Sequence, residues 1–369
     1  MAIYPVVDAD SHVEEPEEAW EYLDKEYEAR KPFALVTEDR PILGHMNAFW
    51  YIDGQVVPKP YGHGATVYGT PLAQNLAKGK TFSIGSQALT DADARLRDMD
   101  SLGVDISVIF PTVFLEPLTD DIHFEAALMR SYNTWMAKAC AKRPDRLKWA
   151  AVMPMRDLPA AIEELRRGRD LGAVTAGIYG TVDHRMLHHP DFEPFFAEAE
   201  RLAMPVCVHV GWSHPGLKWS MDTTFGAHAV SFALPVMMGF YSFVGGNILN
   251  KFPRLKVAFL EAGAGWLPYL VDRLDHYFHA DTALDWWVPE RLPSDCVRDS
   301  QIYVTCEAEE RLLPQVIETL GEDRVLMEAD LPHSEARHSA VREIQERKDI
   351  SDAVKEKILS KNALRFFNL

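Results

Sequence analysis

The sequence has few cysteines and a shortage of basic residues. Its four cysteines are scattered over 369 residues without C-x-x-C spacing, which argues against a zinc ribbon or a disulfide framework and favours a reducing cytoplasm. Lysine and arginine number 38 against 55 aspartates and glutamates, for a net charge of −17. Nucleic acid is therefore an unsuitable partner, because binding to phosphates needs clustered basic side chains.

Long apolar runs are also missing. No run of about 18 apolar residues occurs, and the first residues do not combine a basic segment with an apolar stretch. We therefore expect no signal peptide, no membrane span and a cytoplasmic protein. Hydrophobic residues nonetheless make up 47% of the chain, which allows a sizeable core.

Eight short apolar or β-branched segments alternate with longer segments of helical periodicity. They are YPVVDADSH from Tyr4, VDISVIFPT from Val104, LKWAAVMP from Leu147, AVTAGIYG from Ala173, PVCVHVGW from Pro205, LKVAFLEAG from Leu255, QIYVTCE from Gln301 and RVLMEAD from Arg324. Strands separated by such helices form parallel β/α units, and eight units predict an α/β fold of the (β/α)8 TIM-barrel type. A doubly wound sheet usually carries a glycine-rich loop after its first strand, and SHVEEPEEAW has no glycine.

The chain is longer than a barrel of about 250 residues requires. We expect one barrel domain over residues 1–369, with most of the surplus in an insertion at 31–89, after the first strand. The insertion contains Asp53-Gly54 within FWYIDGQVV, which predicts a two-residue β-hairpin turn. From its place after the first strand, the insertion would lie over the C-terminal mouth of the barrel, as a lid or a partner surface.

Polar residues stand where the predicted strands end, and strand ends are where barrel enzymes carry their chemistry. On the first strand, Asp8, Asp10 and His12 alternate with apolar residues and so project to one face. The other candidates at strand ends or just beyond them are Glu116, His209, His214, Glu261, Glu307, Glu328, Asp330 and His333. Alone, each could be a helix cap or a hydrogen-bonded core residue.

Together these carboxylates require a counter-charge, because like charges repel strongly where water is excluded. The strand ends themselves contain no lysine or arginine. A divalent metal would supply the missing charge. A donor set of histidine and carboxylate suits zinc, manganese or iron better than magnesium or calcium.

Four motifs in chain order resemble those of the amidohydrolase-related family, in the branch typified by aminocarboxymuconate-semialdehyde decarboxylase. They are DADSHVEEP, PVCVHVG, NKFPRLKVAFLEAGAGWLPYLVDRLD and EADLPH, on the first, fifth, sixth and eighth predicted strands. The resemblance spans nearly the whole chain. It implies that Asp10, His12, His209 and Asp330 bind metal.

The sequence departs from the family pattern at three places. Asp10 replaces the first histidine of a common His-x-His pair, and Glu261 stands where the decarboxylases carry an acid/base histidine. AGIYGTVDH lacks the fourth-strand lysine that other amidohydrolases convert to a bridging carbamate. Two interpretations follow: one metal with Glu261 as general acid/base, or two metals with Glu261 as a ligand, completed by Glu116 or Glu328.

The resemblance implies a metal-dependent enzyme that acts on a small organic acid by hydrolysis or non-oxidative decarboxylation. The alternative is a non-heme di-iron or manganese–iron oxygenase on the same barrel, since carboxylate-rich sites with histidine also suit iron. Besides Glu261, the candidate catalytic residues are His214 and His228. His333 would bind metal or support a ligand, and the candidates for contact with substrate are Trp212, Lys218 and Arg337. The apolar segment MMGFYSFVGGNIL and the family's habit of pairing suggest a homo-oligomer or a complex with a related subunit.

Overall fold

Eight parallel strands form a nearly closed barrel. The computed structural model describes residues 4–36, 48–59, 62–66, 71, 82–280, 289–333 and 338–369. The barrel strands, in chain order and each hydrogen-bonded to the next, are β1 (Val7–Val13), β2 (Ile106–Pro111), β3 (Leu147–Val152), β4 (Thr175–Tyr179), β5 (Val206–His209), β6 (Lys256–Leu260), β7 (Gln301–Cys306) and β8 (Val325–Met327). Each falls on one of the eight predicted segments, so the predicted TIM barrel is confirmed.

Backbone hydrogen bonds join the first strand to the segment after the last. His12 N–H donates to the Leu331 carbonyl at 2.6 Å, and Asp330 N–H donates to the Asp10 carbonyl at 3.2 Å. These bonds place residues 10–12 and 330–331 side by side at the C-terminal ends of the strands. Residues 320 apart in sequence thus share one edge of the barrel mouth.

The barrel interior is filled below this mouth. Its inward-facing cluster combines small residues such as Ala9 and Ala258 with Phe110, and it extends to the C-terminal helix Asn362–Phe367. The Phe366 ring packs 4.9 Å from Tyr303 near the start of β7. The C-terminal helix therefore closes the N-terminal end of the barrel, which leaves the opposite end for a site.

Helices surround the barrel, as the alternating pattern predicts. The longer ones are Ala92–Leu102, Ile122–Cys140, Leu158–Asp170, Glu193–Leu202, Leu234–Val244, Trp266–His279 and Leu313–Leu320. Shorter α-helical segments are Ile84–Gln87, Pro215–Lys218, Thr224–Gly226, Ile248–Lys251, Pro293–Asp299, Ala340–Glu346, Asp352–Glu356 and Asn362–Phe367. Four 3₁₀ turns (Glu17–Trp20, Lys25–Arg30, Val113–Leu115 and Pro190–Phe192) and two π-helical turns (Ala227–Phe232 and Lys357–Lys361) complete the described helices.

The described part of the insertion contains a three-stranded antiparallel sheet, Phe33–Val36, Ala48–Ile52 and Gln55–Val57. Asp53 and Gly54 join its last two strands with φ of 47° and 81°, so the predicted hairpin is confirmed. Thr66 reaches the barrel mouth, where its hydroxyl donates to Glu116 at 3.0 Å. Residues 37–47, 60–61, 67–70 and 72–81 of the insertion lie outside the described residues, and its role as a lid remains a prediction.

One helical stretch, Thr224–Val244, is long and apolar enough to cross a membrane by length and composition alone. More than half of it, 56%, is buried inside the protein. It packs closely on the barrel, since a Cβ on Gly239 would meet Val208 at 2.9 Å. These properties are those of a buried barrel helix, and a membrane span remains unsupported.

Candidate metal centre

Two imidazoles and three carboxylates converge at the C-terminal ends of β1, β5, β6 and β8. Glu261 Oε2 lies 3.2 Å from Nε2 of both His12 and His209. Asp10 Oδ1 lies 3.2 Å from His209 Nε2 and 3.5 Å from His12 Nε2, and Asp330 Oδ1 lies 3.8 Å from His12 Nε2. The four residues that the resemblance nominated as ligands, together with Glu261, therefore occupy one cluster, although their roles as ligands remain predictions.

The backbone fixes which nitrogen each imidazole turns to the cluster. His12 Nδ1 lies 2.9 Å from the Pro111 carbonyl, and His209 Nδ1 lies 3.1 Å from the Val210 carbonyl. A carbonyl only accepts, so each Nδ1 carries the proton and donates it. Each neutral ring then presents a bare Nε2 lone pair to the cluster, as metal-binding histidines do.

Burial keeps His12 and Asp10 in their uncharged forms unless a cation is present. Burial and the neighbouring His333 and His209 lower the pKa of His12 well below its usual range. Burial raises the pKa of Asp10 well above its usual range, and the charges of Glu261 and Asp330 raise it further. Without a metal Asp10 therefore holds a proton, and a divalent cation that bound the imidazole lone pairs would displace that proton.

The donor set fits a divalent metal. Among the described residues, Asp10 Oδ2, His12 Nε2 and Glu261 Oε2 are buried and have no hydrogen-bond partner. Donor atoms about 2.0–2.1 Å from one metal lie about 3.0–3.4 Å from each other, which matches the 3.2 Å separations in the cluster. Two groups of potential ligands overlap here, Asp10–His12–His209–Glu261 and His12–Glu261–Asp330–His333, so both the one-metal and the two-metal interpretation remain open.

A second layer of buried residues holds the cluster in place. Asp8 Oδ1 accepts from the N–H groups of Ala329 and Asp10 at 2.9 and 3.2 Å. The prediction that Asp8, Asp10 and His12 share one face is wrong, because the pairing of β1 with β2 shifts register between Asp8 and Ser11 and Ala9 joins the inward-facing cluster. His333 Nδ1 lies 2.7 Å from Asp330, its Nε2 lies 2.9 Å from the Thr112 hydroxyl, and its ring stacks on His12. His333 is thus placed to orient two cluster residues at once.

Sequence reasoning missed two charged residues of this layer. Arg95 is fully buried and donates from one amino nitrogen to the His12 and Leu331 carbonyls at 2.7 and 3.0 Å. Glu15 accepts from Thr112 N–H and from the next residue's N–H, both at 2.9 Å. Arg95 could have been found, because it shares a helical face with buried apolar residues of Ala92–Leu102. No pattern in the sequence marks Glu15.

Glu116 and Glu328, the residues considered for a second metal, occupy different positions. Glu116 pairs with the Lys218 ammonium and accepts from Thr66, outside both groups of potential ligands. The same ion pair engages Lys218, a candidate substrate anchor. Glu328 is buried beside the cluster, where burial and the Asp10 charge raise its pKa well above its usual range.

The remaining candidates lie around the mouth or outside the described residues. His214 caps the helix Pro215–Lys218 by accepting from Leu217 N–H at 3.3 Å. Trp212 is buried with its ring 5.9 Å from that of His228. His228 is close enough to His333 for a protonated His333 to lower its pKa, although burial lowers it more. Arg337 lies outside the described residues.

A narrow apolar cavity adjoins the cluster. Residues from the ends of β2 to β5 line it, among them Phe110, Phe114, Met153, Tyr179 and His209. Phe110 stacks on His209 with ring centroids 5.2 Å apart. A flat apolar group placed here would therefore lie beside a cluster residue.

Comparisons with known proteins agree with this architecture. The family model described as amidohydrolase matches residues 52–369. The chain is 26% identical to 2-amino-3-carboxymuconate-6-semialdehyde decarboxylase of Dictyostelium discoideum, over 84% of this chain and 86% of that one. It is 28% identical to gamma-resorcylate decarboxylase of Rhizobium sp. (strain MTP-10005), over 75% and 87%.

Solved structures share the fold. An amidohydrolase from Mycobacterium avium subsp. paratuberculosis K-10 superposes with a TM-score of 0.80 at 20% identity, and all of both chains is covered. A dihydroxybenzoic acid decarboxylase from Polaromonas sp. JS666, solved with manganese and 2-nitroresorcinol, has a TM-score of 0.66 at 20% identity over 100% and 98% of the chains. These proteins give no support to the oxygenase alternative. Because the family model covers most of its length, this chain belongs to the amidohydrolase family and is an enzyme of that family.

Proposed function

We propose that this enzyme removes carbon dioxide, without oxidation, from a small aromatic carboxylic acid at a divalent metal site. One observation carries the proposal: buried imidazole and carboxylate lone pairs converge within 3.2 Å beside an aromatic-lined cavity. The names of the two sequence relatives support decarboxylation over hydrolysis. The manganese in the Polaromonas structure supports a divalent metal.

Asp10, His12, His209 and Asp330 are the residues that would hold the metal. When bound, the metal supplies positive charge for the oxygens of the substrate. Phe110, stacked on His209, gives the substrate ring an apolar surface and keeps water from that side.

Glu261 is the proposed acid. As carbon dioxide leaves, the bond between the carboxyl carbon and the ring breaks, and its electron pair remains on the ring carbon. That carbon takes a proton from the Glu261 carboxyl group, so a C–H bond replaces the C–C bond. Glu261 suits this role because its 11% exposed side chain can exchange protons with water, and because Asp330, which is 12% exposed, is one of the residues that would hold the metal.

The four cysteines are all free and buried, which fits the proposed reducing cytoplasm. A homo-oligomer, or a complex with a related subunit, remains the proposed assembly.

Manganese- or zinc-loaded enzyme, incubated with a panel of hydroxylated benzoic acids, should release carbon dioxide and an equal amount of the corresponding phenol. Removing the metal with a chelator should stop this release, and restoring the metal should recover it. If the metal-loaded enzyme releases no carbon dioxide from any of these acids but hydrolyses an amide or an ester, the proposed reaction is wrong and the enzyme is a hydrolase.

The variant His209→Ala tests the ligand set separately. Metal content per chain should fall by at least tenfold, because a buried ligand is lost from the cluster. His123→Ala is the matched control, since His123 is 71% exposed and pairs with Asp157 on the barrel exterior. Metal retained by His209→Ala at the wild-type level would show that the ligand set is wrong.

A further inference from the structure

Tyr179 ends β4 on the same inward face as His209. The two residues are register partners on adjacent parallel strands, so their side chains leave the sheet in the same direction. Tyr179 lines the apolar cavity beside the metal cluster. It also lines a second cavity, together with Arg156, Glu125 and Ser213, that contains no cluster residue. Tyr179 therefore stands between the cavity of the cluster and a second cavity whose lining residues include charged side chains.

The hydroxyl of Tyr179 has no partner. Among the described residues, Tyr179 Oη is buried and makes no hydrogen bond. A buried hydroxyl that loses its hydrogen bonds to water and gains no other partner lowers the free energy of unfolding by about 1–3 kcal/mol, so it calls for an explanation. Burial raises the pKa of Tyr179 well above its usual range, and the nearby carboxylates Glu125 and Glu116 raise it further. The hydroxyl therefore keeps its proton and is a donor at neutral pH.

Three polar side chains of the second cavity already have partners, whereas Glu125 Oε1 is buried without one. Arg156 Nε donates to Glu125 Oε2 at 2.7 Å, and another Arg156 nitrogen donates to the Thr119 carbonyl. The Thr181 and Ser213 hydroxyls bond to each other at 2.9 Å. These groups leave the Tyr179 hydroxyl available to a ligand.

A buried unpaired hydroxyl alone does not define a site. Tyr132 has one too, but Tyr132 packs in the core against Phe114 and Trp135 and lines neither cavity. The distinguishing property of Tyr179 is its place on both cavities, on the inward face that also carries His209.

We propose that Tyr179 is a specificity-determining residue whose hydroxyl donates a hydrogen bond to an oxygen-bearing ring substituent of the substrate. The inference rests on the proposed function for the class of ligand. The substrate carboxyl group would lie at the metal cluster, its ring in the apolar cavity, and a second ring substituent, hydroxyl or alkoxyl, towards the second cavity. The enzyme would thus select benzoic acids with a further oxygen on the ring.

The test compares 2-hydroxybenzoate with the four dihydroxybenzoates that add one hydroxyl at position 3, 4, 5 or 6. Dissociation constants are measured by calorimetry on manganese-loaded wild-type enzyme and on Tyr179→Phe. Wild type should bind at least one dihydroxy isomer about tenfold more tightly than 2-hydroxybenzoate. Tyr179→Phe should lose that preference while its affinity for 2-hydroxybenzoate stays within about twofold.

Tyr132→Phe is the matched control, because it removes the same kind of buried hydroxyl outside both cavities; it should keep the wild-type preference. The inference is overturned if wild type prefers no dihydroxy isomer, or if Tyr179→Phe retains the preference. Release of carbon dioxide, measured on the same isomers, tests the proposed function independently. A hydroxyl preference that depends on Tyr179, without carbon dioxide release, would support the specificity role and refute decarboxylation.

Discussion

Replacing Arg95 with methionine should destabilise the protein strongly, although Arg95 contacts no ligand atom of the cluster. Arg95 is fully buried and lies on Ala92–Leu102, behind the joined ends of β1 and the segment after β8. One nitrogen donates to the His12 carbonyl at 2.7 Å and to the Leu331 carbonyl at 3.0 Å. Methionine fills a similar volume but donates nothing.

The magnitude follows from those two bonds. A hydrogen bond from a charged donor contributes about 1.5–3 kcal/mol, so losing two should lower the free energy of unfolding by about 3–6 kcal/mol. Loss of the Arg95 charge should also lower the free energy of unfolding. Burial raises the pKa of Asp8 to about 6, and the Arg95 charge keeps it from rising further. Without Arg95, Asp8 should take up a proton at higher pH and weaken its hydrogen bonds to Ala329 and Asp10.

Urea unfolding in excess chelator measures this change without the contribution of bound metal. Arg143→Met is the control, since Arg143 forms an exposed pair with Asp145, and it should change the unfolding midpoint little. In the folded variant, metal affinity should also fall, because the carbonyls that Arg95 holds belong to His12 and to the residue after Asp330. An Arg95→Met variant destabilised by less than about 1 kcal/mol would refute the reasoning.

Three further perturbations test the site and its surroundings. Asp330→Asn should unfold at higher urea than wild type in chelator, because it removes a buried acid that burial and the Glu261 charge make costly to ionise. It should unfold at lower urea in excess manganese, because it loses metal binding; the same order under both conditions would contradict this. Burial raises the pKa of Glu15 from 4.5 to about 8, so between these pH values the folded state holds a proton that the unfolded state releases. The free energy of unfolding in chelator should therefore fall as pH rises from about 4.5 to 8. Glu15→Gln should remove this part of the slope, which urea titrations at several pH values would show. Gly211→Ala should lower stability by about 1–3 kcal/mol, since φ is 149° and the new Cβ would lie 2.4 Å from the Leu115 carbonyl oxygen; an unchanged melting temperature would exclude that clash.

The barrel could be predicted from the sequence because its strands repeat one local pattern eight times. Each buried parallel strand is a short apolar run, and the helices between them have the 3.6-residue period. The boundaries were less accurate: β1 was predicted from Tyr4 to His12 and observed from Val7 to Val13. Those errors do not move the C-terminal strand ends, so the positions of Asp10, His12 and His209 at the mouth follow from the pattern.

The supporting contacts could not be predicted, because they join residues remote in sequence. Arg95 lies 236 residues from Leu331, and Lys218 lies 102 residues from Glu116. Local periodicity reports which face of a helix is buried, but it does not report what that face meets. Lys218 was a reasonable substrate anchor from its place after the fifth strand, and only the fold shows that an acidic neighbour engages it.

The ends of β6 and β8 show why the centre needs its cation. Glu261 and Asp330 follow their strands with φ of 58° and 53°, a left-handed conformation that costs a residue other than glycine about 1–3 kcal/mol. In this conformation their carboxylate oxygens lie 3.2 and 3.8 Å from the Nε2 atom of His12, and burial and the Glu261 charge raise the pKa of Asp330 well above its usual range. The strained backbone of Glu261 and Asp330 does not stabilise the fold, but it directs both carboxylates into the cluster. A cation bound there would offset their negative charge. At the ends of β6 and β8, an unfavourable backbone conformation therefore coincides with the geometry that the proposed metal centre requires.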